Sequence, residues 1–196
     1  MEQRDLDPNL LKMYSFLVFS KLEGAVTSGM IHLGDHLGLY QGLSSFAHAV
    51  TSDELAASLQ LHPRWVQEWI HNQAAARLIE VEIDDQGIER YSMTPEAVIV
   101  LSDELHPAFG IGMFHRLPQT MASLKALPES FKTGIGLDYD SHGPEGAVGI
   151  ERSFEPWSRS YLLPVVLPAL DGAVHRLEVG AKVADIGCGA GGAAIR

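Results

Sequence analysis

Apolar positions crowd the start of the chain. Asp7 and Pro8 read as an N-cap followed by proline at the first helical position. The helix they open, about 9–23, carries Leu10, Leu11, Met13, Tyr14, Phe16, Leu17, Val18, Phe19 and Leu22. These residues cover far more than one helical stripe, and a helix apolar nearly all round must be covered on several sides. Either the rest of its own subunit does this or a second subunit does. The position at a chain end favours the partner. A further helical stretch is expected over 24–40.

The pattern then becomes sharply punctuated. Thr51 and Glu54 have the spacing of a capping box ahead of "LAASLQ". Pro63 opens a second helix, with Trp65, Val66, Trp69 and Ile70 expected on its buried side. "LIEVEI" at 78–83, "DDQG" at 84–87 and "IERYSM" at 88–93 read as strand, turn, strand. Helix, short turn, helix and β-hairpin in this order make a winged helix. Residues 94–132 are mostly helical in pattern, and "FKTGIGLDYDSHGPEG" at 131–146 reads as a glycine-rich loop. Helix returns over 150–178, with a kink or break expected at Pro164 and Pro168. Gly180 stops it. "KVADI" at 182–186 is expected to be a short strand, and "GCGAGG" the turn after it.

Composition narrows the function. Of 196 residues, 46% are hydrophobic, enough to bury a core, and the formal net charge is −11. That charge repels nucleic acid and anionic membranes. Within 51–96, nine acids (Asp53, Glu54, Glu68, Glu80, Glu82, Asp84, Asp85, Glu89 and Glu96) face only Arg64, Arg77 and Arg90. The wing turn carries two acids where a DNA-reading wing needs Lys or Arg, so the unit is expected to pack rather than read DNA. The single cysteine, Cys188, excludes an intrachain disulfide and fits a reducing cytoplasm. No basic region precedes an apolar stretch at the start, and no apolar run reaches the length of a membrane span.

The glycine turn carries the chemistry. Gly187, Gly189 and Gly192 satisfy the dinucleotide spacing G-x-G-x-x-G, while Gly187, Gly189 and Gly191 satisfy G-x-G-x-G. Spacing does not choose between the two. The deciding residue is Asp185, two positions before the first glycine. A carboxylate there repels a pyrophosphate and attracts the sulfonium and ammonium groups of S-adenosylmethionine. At an effective dielectric of about 20, a charge pair 4 Å apart is worth on the order of 4 kcal/mol before desolvation.

"EVGAKVADIGCGAGG" resembles motif I of the class I S-adenosylmethionine-dependent methyltransferases, with Asp185, Gly187, Gly189 and Gly191 in the motif's positions. "LGDHLGLYQGL", "TSDELAASLQLHPRWVQEWIHNQAAARLIEV" and "FKTGIGLDYDSHG" resemble the N-terminal half of a bacterial subgroup, in which a helical and winged-helix dimerisation domain precedes the catalytic core. The resemblance implies a mainly α architecture in three parts. These are a helical and winged-helix dimerisation domain over 1–100, linking helices over 101–178 that roof the active site, and the start of a Rossmann-like α/β core over 179–196. It also implies S-adenosylmethionine as cofactor, a homodimer formed through the N-terminal helices, a small-molecule methyl acceptor, and Tyr139 beside the cofactor. Such a core needs several parallel strands, and this chain supplies the first. The polypeptide is therefore expected to be truncated, to bind the cofactor weakly and not to turn over by itself. The alternatives are a non-catalytic winged-helix regulator and a nicotinamide-dependent enzyme.

Other candidates carry less. His32 and His36 have zinc-ligand spacing without a third ligand. Cys188 has no partner base and reads as a small residue filling a turn. Tyr139, His142, Trp157, Arg159 and Tyr161 are near the loop in sequence. His115 and His142 are candidate general bases for a hydroxyl or amine acceptor. Direct methyl transfer needs only in-line positioning, so no catalytic residue is assigned.

Overall fold

The computed structural model describes residues 6–192. Helix α1 (Pro8–His36) opens as the sequence predicts: Asp7 Oδ1 accepts a hydrogen bond from the Asn9 amide at 2.8 Å. The helical stretches expected over 9–23 and 24–40 run together as one 29-residue helix to His36, and the second is broken at Leu37 and Gly38 before its expected end. No proline interrupts them, and Gly24 lowers propensity without breaking the hydrogen-bond ladder. Helix α2 (Leu39–Ser44) follows a tight turn.

The winged helix forms as read, from α3 (Ser52–Ser58), α4 (Pro63–Ala75), β1 (Glu80–Ile83) and β2 (Glu89–Ser92). The capping box closes in both directions. Thr51 Oγ1 accepts from the Glu54 amide at 3.2 Å, and Glu54 Oε2 accepts from the Thr51 amide at 2.7 Å. The strands pair antiparallel, with Glu80 opposite Ser92 and Ile83 opposite Glu89. Val50 bridges to Tyr91 on the far side of β2. Asp84 is the clasp of the wing turn. Its Oδ1 accepts from the Gln86 and Ile88 amides, and its Oδ2 accepts from Arg90 Nε at 2.8 Å. One of the two wing acids is thus a structural residue.

The core gathers Tyr40, Leu43, Val50, Leu55, Val66, Trp69, Ile70 and Tyr91. Tyr40 donates to Gln73 Oε1 at 2.5 Å, so the buried phenol is satisfied. α1 crosses α4 at Gly34, where a Cβ would lie 2.7 Å from the Trp69 ring, and Trp69 Nε1 donates to the Met30 carbonyl. Trp65 departs from expectation: it is 73% exposed. It lies one helical turn before the crossing, beyond the reach of the α1 contact that covers Trp69.

The second half is also helical: α5 (Pro95–Leu101), a 3-10 turn (Gly112–Arg116), α6 (Leu117–Ser123), α7 (Leu127–Thr133), a 3-10 turn (Tyr139–His142) and α8 (Gly143–Trp157). The glycine-rich loop read over 131–146 is shorter than expected, because α7 reaches Thr133 and α8 begins at Gly143. The break expected near Pro164 takes the form of a widened π-helical segment, Ser158–Val166. The Leu167 amide reaches back to the Leu162 carbonyl at 2.9 Å, a local answer to the missing proline donor. A short α9 (Ala173–Glu178) follows.

The strand expected over 182–186 is not formed. Among the described residues the only sheet is the β1–β2 hairpin. A strand needs a neighbour to complete its ladder, and among the described residues none lies beside this segment; Ile186 is 96% exposed. The last residues of the core start expected over 179–196, 193–196, lie outside the described residues. No helix among the described residues is long and apolar enough to cross a membrane.

Candidate functional site

Helix α8 is the platform of the site, and it is fixed to the front of the molecule. Arg152 on α8 holds Asp35 of α1 through both terminal nitrogens and also pairs with Glu104. Its guanidinium lies over the Phe109 ring, 5.8 Å from the centroid. The hydrogen bonds it donates to Asp35 raise the guanidinium pKa further above its ordinary value, so its charge is permanent. Arg152 Nη1 also donates to His115 Nδ1 at 3.3 Å, while His115 Nε2 donates to Glu145 at 2.6 Å. One candidate base, His115, is therefore committed to this network.

The other side of α8 faces the glycine turn. Ile150, Glu151, Phe154 and Glu155, with Ser158 just beyond the helix, recur at helical spacing and form one stripe. Together with Asp185, Gly187, Cys188, Gly189, Ala190 and Gly192 they line a cavity of about 290 Å³. Gly187, Gly189 and Gly191 adopt φ of 79°, 58° and 86°, a region that side-chain-bearing residues rarely enter. The turn is closed by the Gly191 amide bonding the Cys188 carbonyl at 2.9 Å. The cavity wall is acidic. It presents Asp185 and Glu151, together with Glu155, which pairs with Arg159 of the π-helical segment.

Of the residues singled out from the sequence, Asp185, Gly187 and Gly189 line this cavity, and Gly191 belongs to the same turn. Tyr139 does not line it. It lies in a neighbouring depression of about 310 Å³ with Arg116, His142 and Ile150, its ring edge-on to His142. The two hollows meet only at Ile150. Trp157 and Tyr161 stack loosely on each other, 5.9 Å between centroids, and line neither. His32 bonds the Phe114 carbonyl through Nδ1 and stacks on His36. Among the described residues no group of three His, Cys, Asp or Glu is placed to hold a metal. The α8 stripe, above all Glu151 and Phe154, was not singled out from the sequence. Its only signal there was the spacing 150, 151, 154, 155, which marks a shared face without saying what it faces.

Residues 25–103 match the family model of the Rv2258c-like winged helix-turn-helix domain. The match covers 79 of the 196 residues and is a similarity over that stretch. No curated protein matches the sequence. Solved structures that share the fold include three methyltransferases. Human N-acetylserotonin methyltransferase, solved in complex with S-adenosylmethionine, superposes with a TM-score of 0.58 at 15% identity, over 88% of this chain and 51% of that one. Mitomycin 7-O-methyltransferase MmcR gives 0.59 at 16%, over 79% of this chain and 47% of that one. CalO1, a methyltransferase in calicheamicin biosynthesis solved in its S-adenosylhomocysteine-bound form, gives 0.53 at 18%, over 97% of this chain and 56% of that one. The chain therefore spans about half the length of the methyltransferases whose fold it shares.

Proposed function

We propose that this chain supplies the dimer-forming and cofactor-facing part of an S-adenosylmethionine-dependent methyltransferase. The observation that carries the reading is the acidic wall of the cavity between α8 and the glycine turn. Asp185, Glu151 and Glu155 border one small volume. A ligand bearing a sulfonium and an ammonium suits such a wall, whereas a pyrophosphate meets repulsion there. The glycine turn lets backbone approach the ligand without side chains intervening.

The parts divide as follows. Residues 1–100 form the dimerisation region, joined to a second copy through the N-terminal helices. Residues 101–178 roof the site, and 179–196 begin the catalytic core. When bound, the cofactor supplies an electrophilic methyl group. Asp185 and Glu151 hold its positive end, and α8 keeps that end away from water. Gly187, Gly189 and Gly191 bring backbone alongside it, and Tyr139 borders the adjoining hollow where part of a small-molecule acceptor or the rest of the cofactor lies. Asp185→Asn tests this assignment: it weakens S-adenosylmethionine binding at least about tenfold, roughly 1.4 kcal/mol. Unchanged binding in that variant contradicts the role given to Asp185.

A further inference from the structure

The first nineteen residues of α1 stand apart from the molecule. From Pro8 to Val26 no side chain is buried; burial on this helix begins at Thr27. Successive residues turn by about 100° around a helix. Phe16, Leu17, Val18 and Phe19, all exposed, therefore point to every side. A flat side-by-side contact covers one stripe of such a helix. Covering more of it requires a groove.

The chain carries one. Between the second half of α1 and α4 lies an apolar trough of about 290 Å³, walled by Met30, Leu33 and Leu37 on one side and by Trp65 and Trp69 on the other. Its polar lining is confined to His62 and Glu68. The largest exposed side chain there is Trp65, on the helix that in a DNA-reading winged helix enters the major groove.

The same helix supplies the arm and one wall of the trough. α1 is continuous over 29 residues, about 43 Å at 1.5 Å per residue. A continuous helix cannot fold back beside itself, so the arm cannot reach its own trough. A second copy's trough is open to it. Between Pro8 and Val26 the arm carries Lys12 and Lys21 against one acid, Glu23, in a chain of net charge −11, so its approach to a second copy is not opposed by like charge. Around a twofold axis the exchange is reciprocal and closes at two.

We propose that the trough between α1 and α4 is the seat of the partner subunit's α1 arm, with Trp65 as its central anchor. The inference rests on the homodimer proposed above and specifies its interface. It also gives the winged helix a protein ligand in place of DNA, since the seated arm covers the Trp65 end of α4.

The test uses the full 196-residue chain. Sedimentation velocity across a concentration series compares wild type with Trp65→Glu, a change at an exposed position that leaves the core intact. Wild type sediments as a dimer, and Trp65→Glu weakens dimerisation at least about 30-fold, the loss expected of an interface hot spot. In parallel, benzoylphenylalanine placed at position 65 is irradiated, and adducts are mapped by mass spectrometry; they fall within residues 8–26 of the other chain. If wild type is dimeric but Trp65→Glu dissociates no more readily, or the adducts fall elsewhere, the seat is overturned while the homodimer stands. If wild type is monomeric throughout, the homodimer itself is overturned, and the seat with it.

Discussion

Arg152 and Asp35, 117 positions apart in sequence, form a two-pronged ion pair, with Nη1 at 2.6 Å from Oδ2 and Nη2 at 2.8 Å from Oδ1. The Asp35 side chain is only 3% exposed and that of Arg152 22%. The pair ties the end of α1 to the helix that carries Glu151 and Phe154. Asp35→Ala leaves the guanidinium half-buried with Glu104 as its remaining acidic partner. Removing one member of a buried pair costs about 3–5 kcal/mol. Partial exposure of Arg152 brings the expected loss to about 2–4 kcal/mol in urea unfolding. Asp35→Asn, which keeps the shape and one acceptor, loses less. Equal stability of Asp35→Ala and wild type contradicts the anchoring role.

The crossing of α1 over α4 has no spare volume. A Cβ at Gly34 meets Trp69 Cζ2 and Tyr40 Cε2 at 2.7 Å each. Gly34→Ala gains helix propensity but overpacks the core, at a net cost of about 1–3 kcal/mol. Chemical denaturation shows the sign directly: a stabilised Gly34→Ala variant means the two helices separate freely.

Acid weakens the winged helix in a defined way. Hydrogen bonds from the Ile88 amide and from Arg90 hold the Asp84 carboxyl below its usual value of 3.8. Those from Thr51 do the same for Glu54, and that from Tyr91 for Glu89. A carboxyl depressed in the folded state contributes stability above its unfolded pKa and loses it as pH falls through the folded pKa. Urea midpoints therefore decline as pH falls from about 6 to about 3, and Asp84→Asn declines less steeply. A parallel decline in the variant shows that the wing clasp does not contribute.

The acidic wing is expected not to bind DNA. Asp85 sits beside the Asp84 clasp, and Glu68 pairs with Arg64 on α4 at 2.5 Å. Phosphate contacts dominate affinity for duplex DNA. A gel shift with mixed-sequence duplex at about 0.15 M salt shows no complex. A retained band at that salt restores the regulator reading.

Local chemistry was legible in the sequence, and distant pairing was not. Asp7, Thr51 and Glu54 announced their caps because a cap is settled within three residues. The wing was readable because its turn and both strands lie within fifteen residues. Trp65 misled, because its burial depends on where α1 crosses, which is a tertiary fact. The segment 182–186 has strand composition, but a strand exists only beside a neighbour, and none stands there among the described residues. In the site, the glycines and Asp185 were visible as a motif. Glu151 and Phe154 were not, because nothing local to α8 tells which face meets a turn more than thirty residues later.

The choice of ligand at the acidic cavity is measured most directly by saturation-transfer difference NMR on the 196-residue chain, with S-adenosylmethionine and NADH each at millimolar concentration. This method detects binding too weak for calorimetry. Transfer is expected to S-adenosylmethionine, reduced in Asp185→Asn, with none to NADH. Transfer to NADH and silence from S-adenosylmethionine contradicts the account.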